Sequence, residues 1–367
     1  MNSLADLVRT REIIVCCGSG GVGKTTTAAA IAVEGAREGR RACVVTIDPA
    51  KRLADALGLA SLTNQPGRVA GDWAPPGELW ALMLDTKSTF DDLVARYAAD
   101  PQQAEGILAN RLYRNLSSAL SGTQEYMAME KLYELHEEDR FDLIVVDTPP
   151  TRNALDFLDA PRRLTRFLDN RIFRLLMVPA RTYLRAVSVA TQTFLRTVAK
   201  VVGSEVVKDT VDFFAAFEGM EQGFRNRAQR VLQLLSESST SFVLVTAPRR
   251  DAVDEALYFA KRLEESHIAI ESLVVNRLHP RFGPVPSVLT SGSDQVPPEA
   301  APLVSLLANL RDLDEVALRE EGCVQSLSQR IATAPVARVP LLADDVHDLD
   351  GLARIAGHMF DDRAASW

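Results

Sequence analysis

Short hydrophobic segments recur along this chain of 367 residues and are separated by stretches with helical spacing. The segments are apolar on both faces, which is typical of parallel strands covered by helices on both sides. The pattern therefore predicts an α/β fold with a doubly wound, mostly parallel sheet, whose ligand lies beyond the carboxyl ends of the strands. The predicted strands cover residues 13–17, 42–47, 79–84, 143–146, 242–246, 273–275 and 336–340.

Two segments interrupt the alternation with helical patterns alone. In residues 90–138, leucine and isoleucine recur at three- and four-residue spacing, and residues 153–237 contain no convincing strand. We expect the first to be a helical insertion and the second a helical subdomain on one side of the sheet. The core would then consist of residues 1–89, 139–152 and 238–367, and the last of these includes a Pro-, Ser- and Gly-rich segment, 283–302, predicted to be a flexible loop.

A glycine-rich sequence, Gly18-Ser-Gly-Gly-Val-Gly-Lys24-Thr-Thr, joins the first predicted strand to a helix-forming segment. Because glycine has no Cβ, successive backbone N–H groups can point at a polyphosphate, and the start of the helix adds positive potential. Lys24 can reach the β- and γ-phosphates, and the Thr25 hydroxyl can ligate Mg²⁺. The sequence thus predicts a P-loop NTPase whose phosphate loop is formed by Gly20, Gly21, Val22, Gly23, Lys24, Thr25 and Thr26.

Two aspartates follow later predicted strands. Asp48 could orient a water that attacks the γ-phosphate or accept its proton; the alternative is a helix N-cap before Pro49. Asp147 has the form of a Walker B acid that holds Mg²⁺ directly or through water; the alternative is an acid that ends a strand before a Pro-Pro turn. Because both follow a phosphate loop, we favour the catalytic and the metal-binding role.

Composition narrows the possible partners. A net charge of −8 argues against a dedicated nucleic-acid binder. The N-terminal residues lack the apolar core of a signal peptide, and no apolar stretch reaches the roughly 20 residues that span a bilayer. We therefore expect a cytoplasmic protein without an integral membrane segment.

The four cysteines form no Cys-x-x-Cys pair and are predicted to be small buried hydrophobic residues.

The sequences GSGGVGKTT, TIDPAKRLADALG and DTPPTRNALDFLDAP, in this order, resemble the arsenite-pump-like or anion-transporting ATPase family, which includes ATPases that target tail-anchored membrane proteins. The resemblance implies Mg²⁺-dependent ATP hydrolysis, with Asp48 positioning water and Asp147 anchoring Mg²⁺ through water. It also implies that Asn276 reads adenine and that Pro340 and Leu341 flank the base. Glu125 resembles the glutamate of the family's Pro-Gly-x-x-Glu segment, without the proline.

The same resemblance implies a nucleotide-dependent dimer whose helical subdomain opens and closes around a hydrophobic protein client. The helical segments contain no cysteine, so a metalloid site of the arsenite-pump type is not expected. A partition or septum-positioning ATPase is a less favoured alternative, because the C-terminal residues are acidic and fit anionic lipid poorly.

Ser19 departs from the family pattern, because it stands where family members carry a lysine that reaches across the dimer interface. An inserted cation of this kind contributes roughly 10³ to 10⁵ in rate for arginine fingers. Three explanations stay open: slow hydrolysis, a substitute cation (Lys51, Arg52 or Arg152), or a homologous partner that supplies the lysine. The last would make this chain an ATP-binding regulatory subunit of a heterodimer.

Overall fold

A single eight-stranded sheet forms the centre of the protein. The computed structural model describes residues 3–47, 52–111, 113, 123–149, 154–169, 205, 209–210, 212–213, 216–217, 219–283, 301–331 and 334–360. The strands are β1 (Ile13–Cys17), β2 (Arg41–Thr46), β3 (Gly67–Val69), β4 (Glu78–Met83), β5 (Leu143–Asp147), β6 (Thr240–Thr246), β7 (Ile270–Leu278) and β8 (Val336–Pro340). Their spatial order is β3-β4-β2-β5-β1-β6-β7-β8.

All strands except β3 run parallel to their neighbours, which confirms the predicted α/β fold with a mostly parallel sheet. Each predicted strand is present: β1 and β8 have the predicted ends, and the ends of the other strands differ from the prediction by at most three residues. The hydrophobic pattern did not predict β3, an edge strand of three residues that pairs antiparallel with β4. Two of its three residues are exposed, so it lacks the continuous apolar run by which the other strands were recognised.

Helices connect the strands and cover the sheet. The described helices are α1 (Leu4–Thr10), α2 (Lys24–Arg37), α3 (Arg52–Ala56), α4 (Thr86–Tyr97), α5 (Pro101–Ala109), α6 (Thr123–Glu137), α7 (Ala154–Asp169), α8 (Glu221–Ser236), α9 (Arg250–Glu265), α10 (Ala301–Arg330) and α11 (Leu349–Phe360). None of them is long and apolar enough to cross a membrane. The predicted loop 283–302 extends too far, because Ala301 and Pro302 begin α10, and proline is well tolerated in the first turn of a helix. Residues 284–300 lie outside the described part of the chain.

The sheet separates two hydrophobic layers. Side chains alternate along each strand, so Ile13 and Val15 of β1 pack in one layer while Ile14 and Cys16 pack in the other. The first layer also contains apolar residues of α4, α6, α8, α9 and α10, and the second contains those of α1, α2 and α11. Cys16, Cys17 and Cys43 are buried as predicted, whereas Cys323 in α10 is only half-buried. Burial raises the pKa of the Cys16 thiol well above the usual value.

Helices α6 and α8 are joined by a buried polar network. Arg227 of α8 donates from Nε to Glu130 Oε2 at 2.7 Å and from Nη1 to Glu137 Oε2 at 2.7 Å. Its guanidinium also lies over the Tyr133 ring, 3.9 Å from the centroid. The Tyr126 hydroxyl donates to the other oxygen of Glu130. Burial raises the pKa of Glu130, and the hydrogen bonds from Tyr126 and Arg227 oppose that rise. The network therefore fixes two helices whose apolar faces share one layer.

Candidate functional site

The glycine-rich loop between β1 and α2 packs directly against the ends of two neighbouring strands. A Cβ on Gly18 would lie 2.0 Å from the carbonyl oxygen of Val245 in β6, and a Cβ on Gly23 would lie 2.1 Å from Nδ2 of Asn276 in β7. Gly23 also has a φ of 93° and precedes the first residue of α2. No side chain fits at either position, so the loop needs glycine there.

Lys24 is folded back over this loop. Its side chain is buried, and Nζ donates to the backbone carbonyl of Ser19 at 2.8 Å. The residue at the position of the signature lysine thus provides a carbonyl that holds Lys24. A nucleotide phosphate would offer Nζ a charged acceptor in place of this carbonyl.

Asp147 joins the start of α2 to the ends of β2 and β5. The Thr25 hydroxyl donates to Asp147 Oδ2 at 2.7 Å, and the Thr46 hydroxyl donates to the same oxygen at 2.9 Å. The carboxylate is almost completely buried, with 1% exposure. A hydroxyl and a carboxylate are the hard oxygen ligands that Mg²⁺ binds together with phosphates and water. The donor set at Thr25 and Asp147 therefore fits Mg²⁺.

Asn276 links the loop to the end of β7. Its Nδ2 donates to the carbonyl of Val22 at 2.9 Å, and the residue is buried. Because the amide nitrogen contacts the loop, the amide oxygen is the atom with which Asn276 could accept a hydrogen bond from a base. The Leu341 backbone N–H donates to the Leu278 carbonyl at 2.7 Å, which holds the segment after β8 beside Asn276.

Lys24, Thr25 and Asn276 line one cavity of about 560 Å³, a volume typical of small-molecule sites, and Asp147 lies behind Thr25 without lining it. Its charged side chains include three cations, Lys24, Arg52 and Arg277, and the carboxylates of Asp55, Asp344 and Asp345. The remaining lining residues are Gly21, Gly23, Thr25, Thr26, Ala56, Thr148, Asn276, Pro340, Leu341, Leu342, Val346, His347 and Ile355. The cavity therefore has a polar end at the phosphate loop and apolar residues after β8.

Most residues predicted from the sequence meet at this cavity. Gly20 lies exposed in the same loop, and the Val22 side chain is buried in the core. Asp48, the predicted water-positioning residue, lies outside the described residues. Of the proposed substitute cations, Arg52 lines the cavity, whereas Lys51 and Arg152 also lie outside the described part of the chain.

Glu125 lies near the end of β2 and is not among the residues that line the cavity. Its neighbour Gln124 donates from Nε2 to the Ile47 carbonyl at 3.1 Å. Glu125 itself is buried, and its Oε2 has no hydrogen-bond partner among the described residues. Glu125 therefore lies close to Ile47, the residue that precedes Asp48 in the sequence.

Among the residues at this site that were not predicted, three make hydrogen bonds that shape it. Thr46 holds Asp147, and the buried Thr148 donates from its hydroxyl to the Cys16 carbonyl at 2.8 Å. Arg277 donates from Nη1 to the Gly21 carbonyl at 3.2 Å. The two threonines carried a usable signal, because Thr46 lies near the end of a predicted strand, two residues before Asp48, and Thr148 directly follows Asp147. Arg277 carried a weaker one, since it only follows Asn276.

A larger cavity, of about 760 Å³, lies at the opposite, amino-terminal edge of the sheet. Its charged groups are engaged with one another or with neighbours. His136 Nε2 lies 2.9 Å from Glu12 Oε2, and Asp142 pairs with Arg41 at 2.6 Å. The described residues that line it include no glycine-rich loop and no cluster like that around Asp147. The cavity at the carboxyl-terminal edge of the sheet is therefore the better candidate for the functional site.

Known proteins that this chain is similar to are ATPases, which agrees with a site whose geometry fits Mg²⁺ and phosphates. The family model described as "Anion-transporting ATPase" matches residues 11–282. Chlamydomonas reinhardtii "ATPase ARSA1" is 27% identical over 295 residues, which cover 76% of this chain and 35% of the algal protein. Malassezia globosa "ATPase GET3" is 26% identical over 265 residues, covering 72% of each chain. Arabidopsis thaliana "ATPase GET3B" is 27% identical over 290 residues, covering 74% of this chain and 65% of the plant protein.

The chain thus spans about a third of the algal relative's length but 72% of the fungal one's. The match of the family model covers well over half of the 367 residues. The chain therefore belongs to the anion-transporting ATPase family, a family of ATP hydrolases.

Proposed function

We propose that this protein binds Mg·ATP in the cavity beside the phosphate loop and hydrolyses it. The observation that carries the proposal is the hydrogen bond of 2.7 Å between the Thr25 hydroxyl and Asp147. It joins the first residues of α2 to the end of β5, which are the two elements that hold Mg²⁺ and phosphate in P-loop NTPases. Thr25 lines a cavity of suitable size, and Asp147 lies next to it, bonded to Thr25.

In the proposed mechanism, the backbone N–H groups of residues 20–26 bind the phosphates, and Lys24 exchanges the Ser19 carbonyl for phosphate oxygens. Thr25 would hold Mg²⁺ directly and Asp147 would hold it through water, and the ion would neutralise the charge that develops on the phosphates. Asp48 orients the attacking water. The Asn276 amide oxygen contacts the adenine amino group, and Pro340 and Leu341 cover the base.

Hydrogen bonds connect the residue after β2 to two helices on one side of the sheet. Gln124 of α6 contacts the Ile47 carbonyl, and α6 is tied to α8 through Arg227. We propose that a displacement of Ile47 on hydrolysis is passed to α6 and α8. This movement would open and close a helical subdomain, residues 153–237, around a hydrophobic protein client in a cytoplasmic homodimer or heterodimer.

A second candidate function is an ATP-binding subunit that hydrolyses ATP only with a homologue carrying the signature lysine. The feature that favours it is Ser19, whose side chain carries no positive charge at the position of the signature lysine. In that case ATP binds, but the isolated chain shows little turnover.

Phosphate release from purified wild-type protein and from Asp48→Asn separates these functions. Asp85→Asn is a matched control, because Asp85 follows β4 as Asp48 follows β2, and its side chain is an N-cap that accepts from the Ser88 N–H at 3.0 Å. The ATPase proposal expects Mg²⁺-dependent turnover that Asp48→Asn abolishes and Asp85→Asn preserves. Binding of ATP without wild-type turnover supports the regulatory subunit, and absence of ATP binding contradicts both.

A further inference from the structure

Arg277 stands at an irregularity in the sheet that turns it toward the nucleotide cavity. Val275 of β7 pairs with Arg338 of β8, and Leu278 pairs with Pro340. Two residues, Asn276 and Arg277, thus stand opposite one residue of β8, which is the arrangement of a β-bulge. Arg277 has a φ of 63°, in the left-handed region that residues with side chains rarely adopt.

The bulge brings two consecutive side chains into contact with the phosphate loop. In a regular strand, consecutive side chains point to opposite faces of the sheet. Here Asn276 donates to the Val22 carbonyl at 2.9 Å, and Arg277 donates to the Gly21 carbonyl at 3.2 Å, so both contact the phosphate loop. Bulges next to active sites commonly re-aim a side chain in this way.

Arg277 remains available to a ligand. It is exposed and lines the cavity together with Lys24 and Arg52. A guanidinium carries five N–H donors in a planar fork that matches phosphate oxygens, and the contact with Gly21 uses one of them. The cavity also contains three aspartates, so each cation matters for binding a polyanion.

We propose that Arg277 is a nucleotide-binding residue whose guanidinium contacts the polyphosphate. It supplies, from within the chain, positive charge at a loop that has Ser19 in place of a lysine. This assignment rests on the proposed function, because it requires a nucleoside polyphosphate in the cavity.

A purely structural role for Arg277 predicts a different outcome on substitution. Glycine is favoured at a φ of 63°, so Arg277→Gly relieves backbone strain, while the exposed hydrogen bond to Gly21 contributes little to stability. We expect Arg277→Gly to melt, without nucleotide, no lower than the wild type. A markedly lower melting temperature would show that Arg277 serves the fold and would overturn the assignment.

The binding test uses Arg277→Ala, with Arg249→Ala as control. Arg249 is an exposed arginine that follows β6 at the same edge of the sheet and pairs with Asp251 at 2.8 Å. The ligands are Mg·ATP and inorganic tripolyphosphate, the latter in competition with a fluorescent ATP analogue. We expect Arg277→Ala to weaken both by about ten- to a hundredfold, as for loss of a charge-assisted hydrogen bond. Arg249→Ala should stay within about twofold of the wild type.

Equal ATP affinity of Arg277→Ala and the wild type would overturn the proposal. A loss for ATP without a loss for tripolyphosphate would place the guanidinium on the ribose or base and would also overturn it. If the wild type itself binds neither ligand, the proposed function fails, and the inference falls with it. The wild-type titration therefore distinguishes the two failures.

Discussion

Replacing Asp147 with asparagine tests whether the buried carboxylate serves a metal ion. The substitution keeps the shape of the side chain and removes its charge. In the structure, Asp147 Oδ2 accepts from the hydroxyls of Thr25 and Thr46 at 2.7 and 2.9 Å. An amide whose oxygen takes the place of Oδ2 can still accept both of these bonds, but it attracts a divalent cation far less. Asp147→Asn should therefore lower affinity for Mg·ATP without preventing folding.

The expected loss follows from the position of Asp147 behind Thr25. Groups that orient a metal ligand typically contribute roughly 10- to 100-fold to metal affinity or activity. This corresponds to about 1.4 to 2.7 kcal/mol, at about 1.4 kcal/mol for each factor of ten. The free energy of unfolding without ligand should change little or rise, because a carboxylate with 1% exposure carries a desolvation cost that an amide avoids.

The assay is calorimetric titration with ATP, once with Mg²⁺ and once with a chelator. Wild-type protein should bind more tightly with Mg²⁺, and Asp147→Asn should lose most of that difference while binding metal-free ATP as the wild type does. Asp142→Asn is the control, because Asp142 precedes the other end of β5 and pairs with Arg41 at 2.6 Å. If Asp147→Asn keeps the full effect of Mg²⁺, the carboxylate does not serve the metal and the reasoning fails.

Two further substitutions test the loop and the buried network. Gly23→Ala would place a Cβ 2.1 Å from Asn276 Nδ2 and should abolish ATP binding in the same titration. The control is Gly106→Ala, in open space on α5, which should bind ATP as the wild type does. Normal binding by Gly23→Ala would contradict the packing of the loop. Arg227→Met leaves Glu130 buried without its cation and should cost about 3–5 kcal/mol in urea unfolding at pH 8. Burial raises the pKa of Glu130, so the folded state binds its proton more readily than the unfolded state. Protonation of Glu130 therefore contributes to the stability of the folded state at a pH below the pKa that Glu130 has in the unfolded chain. This contribution is lost as the pH rises through the pKa that Glu130 has in the folded protein. The cost of Arg227→Met should therefore shrink toward pH 5, and a pH-independent cost would contradict this account.

Much of the fold could be predicted because the central strands bury both faces. Residues 13–17 and 143–146 are apolar throughout, and both strands lie in the middle of the sheet. The edge strand β3 was missed because a three-residue exposed segment has no such pattern. The proposed division into helical insertion, helical subdomain and core remains a prediction.

The candidate site could be predicted where each residue belongs to a local motif, but not where the contacts are made between distant segments. Lys24 and Thr25 follow from the loop, and Asp147 follows from its strand. The hydrogen bond between Thr25 and Asp147 joins residues 122 positions apart, so only the sheet order brings them together. The bulge that aims Arg277 at Gly21 depends on the register of β7 with β8, which the sequence does not display.

The most direct test of the central claim is a crystal structure of the protein with Mg²⁺ and a non-hydrolysable ATP analogue. The account predicts phosphates on the backbone N–H groups of residues 20–26, the metal on the Thr25 hydroxyl, and the base between Asn276 and Pro340. An analogue bound at the amino-terminal edge of the sheet, or no bound analogue at saturating concentration, would contradict it.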